Sequence, residues 1–446
     1  MKRIIIITIL AVMAMHAIAL DVAITAGGLK DKVSDKSIST LTVTGTINAE
    51  DFYFISDNLQ QLTSLDLSGA RVVPCRLAAL RFMRDTFGAD ELPAGSLAGL
   101  FLTHLVLPDS LKVIGEGALA GCGSLTAVVL PSALEQIGDY AFAGCNALGG
   151  IVMPATLLTV GRGAFMRCIA LESFTVEPSA RLTTLGDCAL MDCSALRTVG
   201  LGAALTTIGE RAFAGTALSD LDLSACRNLS RIGDWAMVMT PVETAVMPNG
   251  LTHLGDGTFL YDTRLAYVNL GNKLADVNDY LLAGTVLDGS LVLPTVSTVG
   301  NYAFYNVSTL SSVQLPETLT FMGDRAMAGM TSLRSLESKA ASVPGLGLEV
   351  WAGVNQSTVP LKVPMSARVR YQAADQWQEF LFQDYGVPGD VNGDGEVTVA
   401  DINTLIDIIM NYGEGFDEDT MMRADVNMDG EVNVADINAV IAIVLS

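Results

Sequence analysis

The chain has 446 residues, half of them hydrophobic and 17% charged, a composition that can build a large core and excludes intrinsic disorder. A formal charge of −22 and a pI near 4.4 exclude a nucleic-acid binder, which needs a basic footprint to release counterions. The same charge argues against electrostatic docking on anionic membranes.

The N-terminus reads Met-Lys-Arg, then an apolar run from Ile4 to Met15, then the small-x-small triplet Ala17-Ile18-Ala19. That order predicts a secretory signal peptide over residues 1–19 and a secreted or cell-surface mature chain starting near Leu20. The run is shorter than the roughly 20 residues a membrane span needs, and no later segment is long and apolar enough. The first cysteine is Cys75, so no bacterial lipid anchor is indicated.

A leader and cap occupy residues 20–95. From 96 to 338 the chain repeats with a spacing of 22 to 25 residues. Ten units share one phase, marked by Ile114-Gly115, Ile137-Gly138, Val160-Gly161, Leu185-Gly186, Ile208-Gly209, Ile232-Gly233, Leu254-Gly255, Val277-Asn278, Val299-Gly300 and Met322-Gly323; a shortened unit, Ser96 to Pro108, precedes them. A small residue and an apolar one follow each marker, as in Ala141-Phe142 and Ala303-Phe304. A further column holds Cys122, Cys145, Cys168 and Cys193, then Thr216, Thr240, Asp262, Thr285, Val307 and Met330. Such units cannot bury an apolar face alone and stack into a solenoid whose core is a set of ladders. Cysteines at repeat positions are therefore expected as buried free thiols, behaving as small hydrophobes. The remaining cysteines are Cys75, Cys188 and Cys226.

The stretch Leu130-Pro131-Ser132-Ala133-Leu134-Glu135-Gln136-Ile137-Gly138-Asp139-Tyr140-Ala141-Phe142-Ala143-Gly144-Cys145 resembles the BspA-type leucine-rich repeat of bacterial surface proteins. The resemblance weakens at Asn278, where the Gly is lost, and after Cys193, where the thiol disappears. It extends to a leader around Leu41 to Gly69 and a closing cap around Val363 to Trp377, within a cap and linker over residues 339–386. It implies an α/β leucine-rich-repeat solenoid with short strands in a parallel sheet, and a non-enzymatic role in adhesion, with an unknown protein or glycan ligand. One strand column outside the ladders reads Val106, Val129, Val152, Thr175, Gly200, Asp222, Val246, Asn269, Val292, Gln314, Glu337. It is either a contact surface or simply residues suited to strands, and no ligand residue follows from it.

Residues 387–446 change character. Residues 388–446 carry 13 Asp and Glu against one basic residue, Arg423. The acids are spaced as two calcium loops in register, Asp390 to Asp401 and, 35 residues on, Asp425 to Asp436. Calcium takes six to eight oxygens. The expected ligands are Asp390, Asn392, Asp394, Glu396 (through its carbonyl) and Asp401 for one ion. For the second they are Asp425, Asn427, Asp429, Glu431 and Asp436. Gly395 and Gly430 make the sharp turn at position 6, and Thr398 and Asn433 at position 9 could act through water. The exiting segments Val399 to Tyr412 and Val434 to Leu445 have helical apolar spacing: Ile402, Leu405, Ile406, Ile409, and Ile437, Val440, Ile441, Val444.

Paired loop-helix units with Asp at position 12 resemble a type I dockerin, a small all-α module. This resemblance implies a cohesin-like partner and two bound calcium ions. Loop positions 10 and 11 carry a hydroxyl pair in the best-known dockerins; here they are Val399-Ala400 and Val434-Ala435, which implies a more apolar contact. Their identity in both copies suits docking in two orientations.

Catalysis is not expected. The mature chain has two histidines, His104 and His253, both expected at the surface, and no G-x-S-x-G, H-E-x-x-H, P-loop or dinucleotide fingerprint. The largest atypical stretch in the array is Arg71 to Leu92. Two other roles stay open at this point: a structural spacer of an extracellular assembly, and a component of a polysaccharide-degrading complex.

Overall fold

The computed structural model describes residues 18–445 except 82, 83, 178, 383–388 and 428. The expected signal peptide lies almost wholly outside the described residues. Two compact units form: one runs to Leu182 and includes Ala189–Gly202, the other comprises Thr183–Cys188 and Ala203 onward.

In the first unit the strand Ala19–Ile24 lies parallel to Thr40–Ile47, followed in the sheet by Ser64–Asp66, His104–Val106 and Ala127–Val129. Because side chains alternate along a strand, the shared register puts Leu41, Leu65 and Leu105 inside and Thr42, Asp66 and Val106 outside. Gly150–Met153, Ser173–Val176 and Thr198–Gly200 pair in the same way. A second ladder, of two-residue strands, runs through Glu91–Leu92, Val113–Ile114, Gln136–Ile137 and Thr159–Val160, with Leu92, Ile114, Ile137 and Val160 buried.

The second unit repeats the plan. Its outer strands include Asp220–Asp222, Thr244–Val246 and Tyr267–Asn269, and later Gly289–Val292, Leu310–Leu315 and Ser335–Ser338. Each coil thus contributes two short parallel strands and tight turns. The helices of the fold lie in the leader, α1 (Leu29–Lys32) and α2 (Ala49–Asn58), in the closing cap, α3 (Arg368–Ala373), and in the C-terminal module.

The repeat columns have physical reasons. A Cβ on Gly138 would stand 2.9 Å from the Glu116 backbone nitrogen, and one on Gly209 would stand 2.4 Å from that of Asp187, so successive turns need glycine to nest. Where the glycine is lost, Asn278 uses its amide to donate to the Leu254 carbonyl at 2.9 Å. Phe142 and Phe165 stack at 5.0 Å with their planes nearly parallel. The thiols of Cys122, Cys145, Cys168 and Cys193 are fully buried and donate to the carbonyls of Leu97, Leu119, Phe142 and Phe165 at 3.1–3.4 Å. Cys75, Cys122, Cys145, Cys168, Cys193 and Cys226 are free thiols. Burial raises the Cys122 and Cys226 thiols to about 11, which keeps them protonated and unreactive.

Both ends of the array are closed. In the leader, Asn48 caps α2 in a reciprocal box with Asp51, which also accepts from the backbone of Gly27 and Leu29. In the closing cap, Trp351, Tyr371 and Phe380 pack around Trp377, whose Nε1 donates to the Pro344 carbonyl at 3.1 Å. The atypical stretch after Arg71 forms an antiparallel hairpin, Cys75–Arg81 with Arg84–Phe87, beside α2.

Candidate calcium and docking site

The C-terminal module is built on two exit helices, α4 (Val399–Met410) and α6 (Val434–Val444), that pack on each other, with a shorter helix between them, α5 (Glu418–Ala424). Sequence periodicity does not foresee α5, which is only seven residues long and is started by Asp417 accepting from Thr420 N–H at 2.7 Å. The second loop therefore has a helix on each side, as in a full EF-hand, and the first is followed by α4.

The loops are built alike. At position 1, Asp390 accepts from Gly393, Asp394 and Gly395 N–H at 2.9–3.0 Å, and Asp425 from Asp429 and Gly430 at 3.0 and 2.9 Å. At position 12, Asp401 accepts from Asn392 and Thr398 N–H at 3.0 and 2.8 Å, and Asp436 from Asn427 and Asn433 at 3.1 and 2.9 Å. The last acid thus reaches back across its loop to position 3 and also closes a capping box on the exit helix. All four of these carboxylates are buried.

Asn392, Asp394, Asn427 and Asp429 lie on the exposed rim, each accepting from a backbone N–H two residues on; Glu396 and Glu431 are exposed. Gly395 and Gly430 both have φ of 91°, a left-handed turn that favours glycine. At position 9, Thr398 and Asn433 accept from Ala400 and Ala435 N–H, so their side chains serve as helix caps.

This donor set fits calcium. Every side-chain donor is an oxygen, and burial together with the nearby Asp436 and Asp429 charges raises the Asp425 carboxyl above its ordinary value, a crowding that a cation would relieve. Among the described residues no three His, Cys, Asp or Glu side chains are gathered as a ready-made metal cluster. An EF-type loop does not rely on that alone, since it recruits amide and backbone carbonyl oxygens as well.

Val399, Ala400, Val434 and Ala435 are all exposed, as the contact reading requires. The helix faces differ in part from the expected ones. Ile408 is buried with Leu405, Val440, Val391, Ala424 and Val426, whereas Ile406, Ile441 and Val444, members of the helical apolar spacing, face solvent. Exposed apolar side chains consequently form matched stripes at spacings of seven and four residues: Val399, Ile406 and Met410 on one helix, Val434, Ile441 and Leu445 along the other.

The outer strand column of the array does lie on the surface. Val129 is 79%, Val152 61% and Val292 61% exposed, and the same column carries Thr175, Asp222, Asn269, Gln314 and Glu337. His104 is exposed as expected, but His253 is partly buried, and burial and then Arg231 lower its pKa. No described helix is long and apolar enough to cross a membrane.

The family model for the BspA type leucine rich repeat region matches six copies over residues 91–181, 159–288 and 289–356. The model for the dockerin type I domain matches residues 388–445. Type I dockerin domains in general bind calcium and cohesins, and both kinds of domain are interaction modules. Among solved structures, a leucine-rich repeat protein from Bacteroides ovatus is similar with a TM-score of 0.53 at 20% identity, over 77% of this chain and 88% of its own. A leucine rich cell surface protein from Faecalibacterium prausnitzii is 20% identical over 58% of this chain and 85% of its own, with a TM-score of 0.32. The first likeness speaks for the fold alone. No curated protein matches.

Proposed function

Since the chain belongs to the BspA-type leucine-rich repeat family and ends in a type I dockerin domain, we propose that it is a secreted or cell-surface, non-enzymatic binding protein. Its repeats hold a protein or glycan ligand, and its dockerin docks it to a cohesin-type partner. The observation that carries this reading is the pair of exposed apolar stripes, Val399-Ile406-Met410 and Val434-Ile441-Leu445, on a small acidic module that has little use for them otherwise. Two calcium ions, one per loop, hold the ends of the helices that present the stripes. The ligands are Asp390, Asn392, Asp394, the Glu396 carbonyl and Asp401, and Asp425, Asn427, Asp429, the Glu431 carbonyl and Asp436.

The first-unit surface around Val106, Val129 and Val152 favours a contact role for the repeats over that of a plain spacer. The test uses the full chain on an immobilised panel of cohesin-type domains. Saturable binding should vanish with chelator, survive Val399→Asp or Val434→Asp singly, and be lost when both are changed. Binding that persists in the double variant or in chelator would remove the docking reading.

A further inference from the structure

Where earlier coils place a thiol, one later coil places Asp262, fully buried between the ladder positions of Thr240 and Thr285. The threonines of this ladder share one arrangement. Thr216, Thr240 and Thr285 each donate the hydroxyl proton to the carbonyl three residues back, Phe213, Met237 and Leu282, at 2.9, 2.7 and 2.8 Å. A carbonyl oxygen has no proton to offer, so the one hydroxyl proton of Thr240 is committed to Met237. Yet Asp262 Oδ2 lies 3.1 Å from that same hydroxyl oxygen, while the Thr240 N–H donates to Asp262 Oδ1 at 3.1 Å. With that proton on the shorter bond, to Met237 at 2.7 Å, the hydrogen between the two side-chain oxygens comes from the carboxyl.

We propose that Asp262 is a neutral carboxylic acid in the folded chain, a proton latch that joins its coil to the preceding one and makes the second unit less stable as pH rises from acid toward neutral. If the proton leaves, Thr240 must turn its hydroxyl to the carboxylate and abandon the Met237 carbonyl, or two oxygens stand opposed in the dry interior. Either way a buried polar atom loses its partner.

The surroundings agree. Burial is the dominant influence and pushes the carboxyl up to about 8, and no charged group acts on it. The preceding coil offers it Met237 and Thr240, and the equivalent position of the next coil is Thr285. Glu243 and Arg264, the charged residues nearest in sequence to Thr240 and Asp262, pair with each other at the surface. From about pH 4, where an unfolded Asp ionises, to about pH 8, the native chain holds a proton that the unfolded chain lacks. Stability from this group therefore falls as pH rises through that window and levels off above it.

The test compares the full chain with Asp262→Asn in saturating calcium, reading the unfolding temperature of the repeats from about pH 5 to about pH 9. The Asn amide can donate to Thr240 Oγ1 and its oxygen can accept from Thr240 N–H, so the variant mimics the protonated latch. The wild type should fall steadily relative to the variant up to about pH 8, after which the gap should stay constant. A gap that does not change with pH overturns the proposal. Should Asp262→Asn not fold, infrared spectra of the wild type decide. A protonated-carboxyl stretch at neutral pH that disappears in alkali supports the latch, and its absence at neutral pH overturns it.

Discussion

In the first-unit repeats and in the C-terminal module the buried polar groups are of opposite kinds. The repeat coils bury thiols that donate to backbone carbonyls, beside long columns of Leu, Ile and Phe. The module buries four carboxylates, Asp390, Asp401, Asp425 and Asp436, beside a core of six buried apolar residues among those described. The difference teaches where each region gets its stability. Stacked coils are self-sufficient, because their buried thiols are neutral and hydrogen-bonded to backbone carbonyls. The module gathers negative charge around a small core, and a cation bound only to its folded form would supply what the core does not.

The largest expected effect belongs to the array. Phe165→Ala removes a fully buried ring stacked on Phe142 and edge-on to Phe174, and should destabilise the repeats by about 3–5 kcal/mol. Calorimetry of the full chain should show the calcium-linked transition unmoved by this change; movement of both would mean that the regions are not distinct.

Next comes calcium itself. At a free concentration of about 100 times the dissociation constant, each site should add about 2.7 kcal/mol to the module. Asp390→Ala or Asp425→Ala should each reduce the bound calcium by one ion, measured by atomic emission on dialysed full chain. Loss of both ions from one substitution would show that the loops act as a single site.

Of intermediate size is the leader cap. Asn48→Ala breaks the reciprocal box with Asp51 and should lower array stability by about 1 kcal/mol, read by chemical denaturation in calcium.

The smallest effect is kinetic. Native alkylation should be fastest at the partly exposed Cys75 and Cys188 and slow at Cys122, Cys145, Cys168, Cys193 and Cys226, whereas after denaturation all seven should react. A ladder cysteine that stays blocked after denaturation would mean a disulfide or another modification.

Much of this was legible in the chain because it is repeated. The Ile-Gly phase, the thiol column and the two Asp-rich loops each recur, and a pattern seen ten times or twice in register is hard to produce by chance. What escaped reading was local and unrepeated. Helix α5 has too few residues to show a period. Helix α4 carries apolar residues at Leu405, Ile406, Ile408 and Ile409, so its spacing does not fix which of Ile406 and Ile408 turns inward; packing against α6 decides it. The turn residues Tyr140, Arg211 and Trp235 adopt φ of 51–58°, a left-handed conformation that such dissimilar side chains do not announce. The helical share of the expected α/β class also sits in the leader, cap and module, since the short coils close with turns.

The contrast between a self-sufficient array and a calcium-built module is tested most directly by scanning calorimetry of the full chain in calcium and in chelator. Two transitions are predicted, with chelator lowering the one that carries the module's helicity and leaving the repeat transition in place. A single transition that ignores chelator, or repeats that unfold with the module when calcium is removed, would contradict the account.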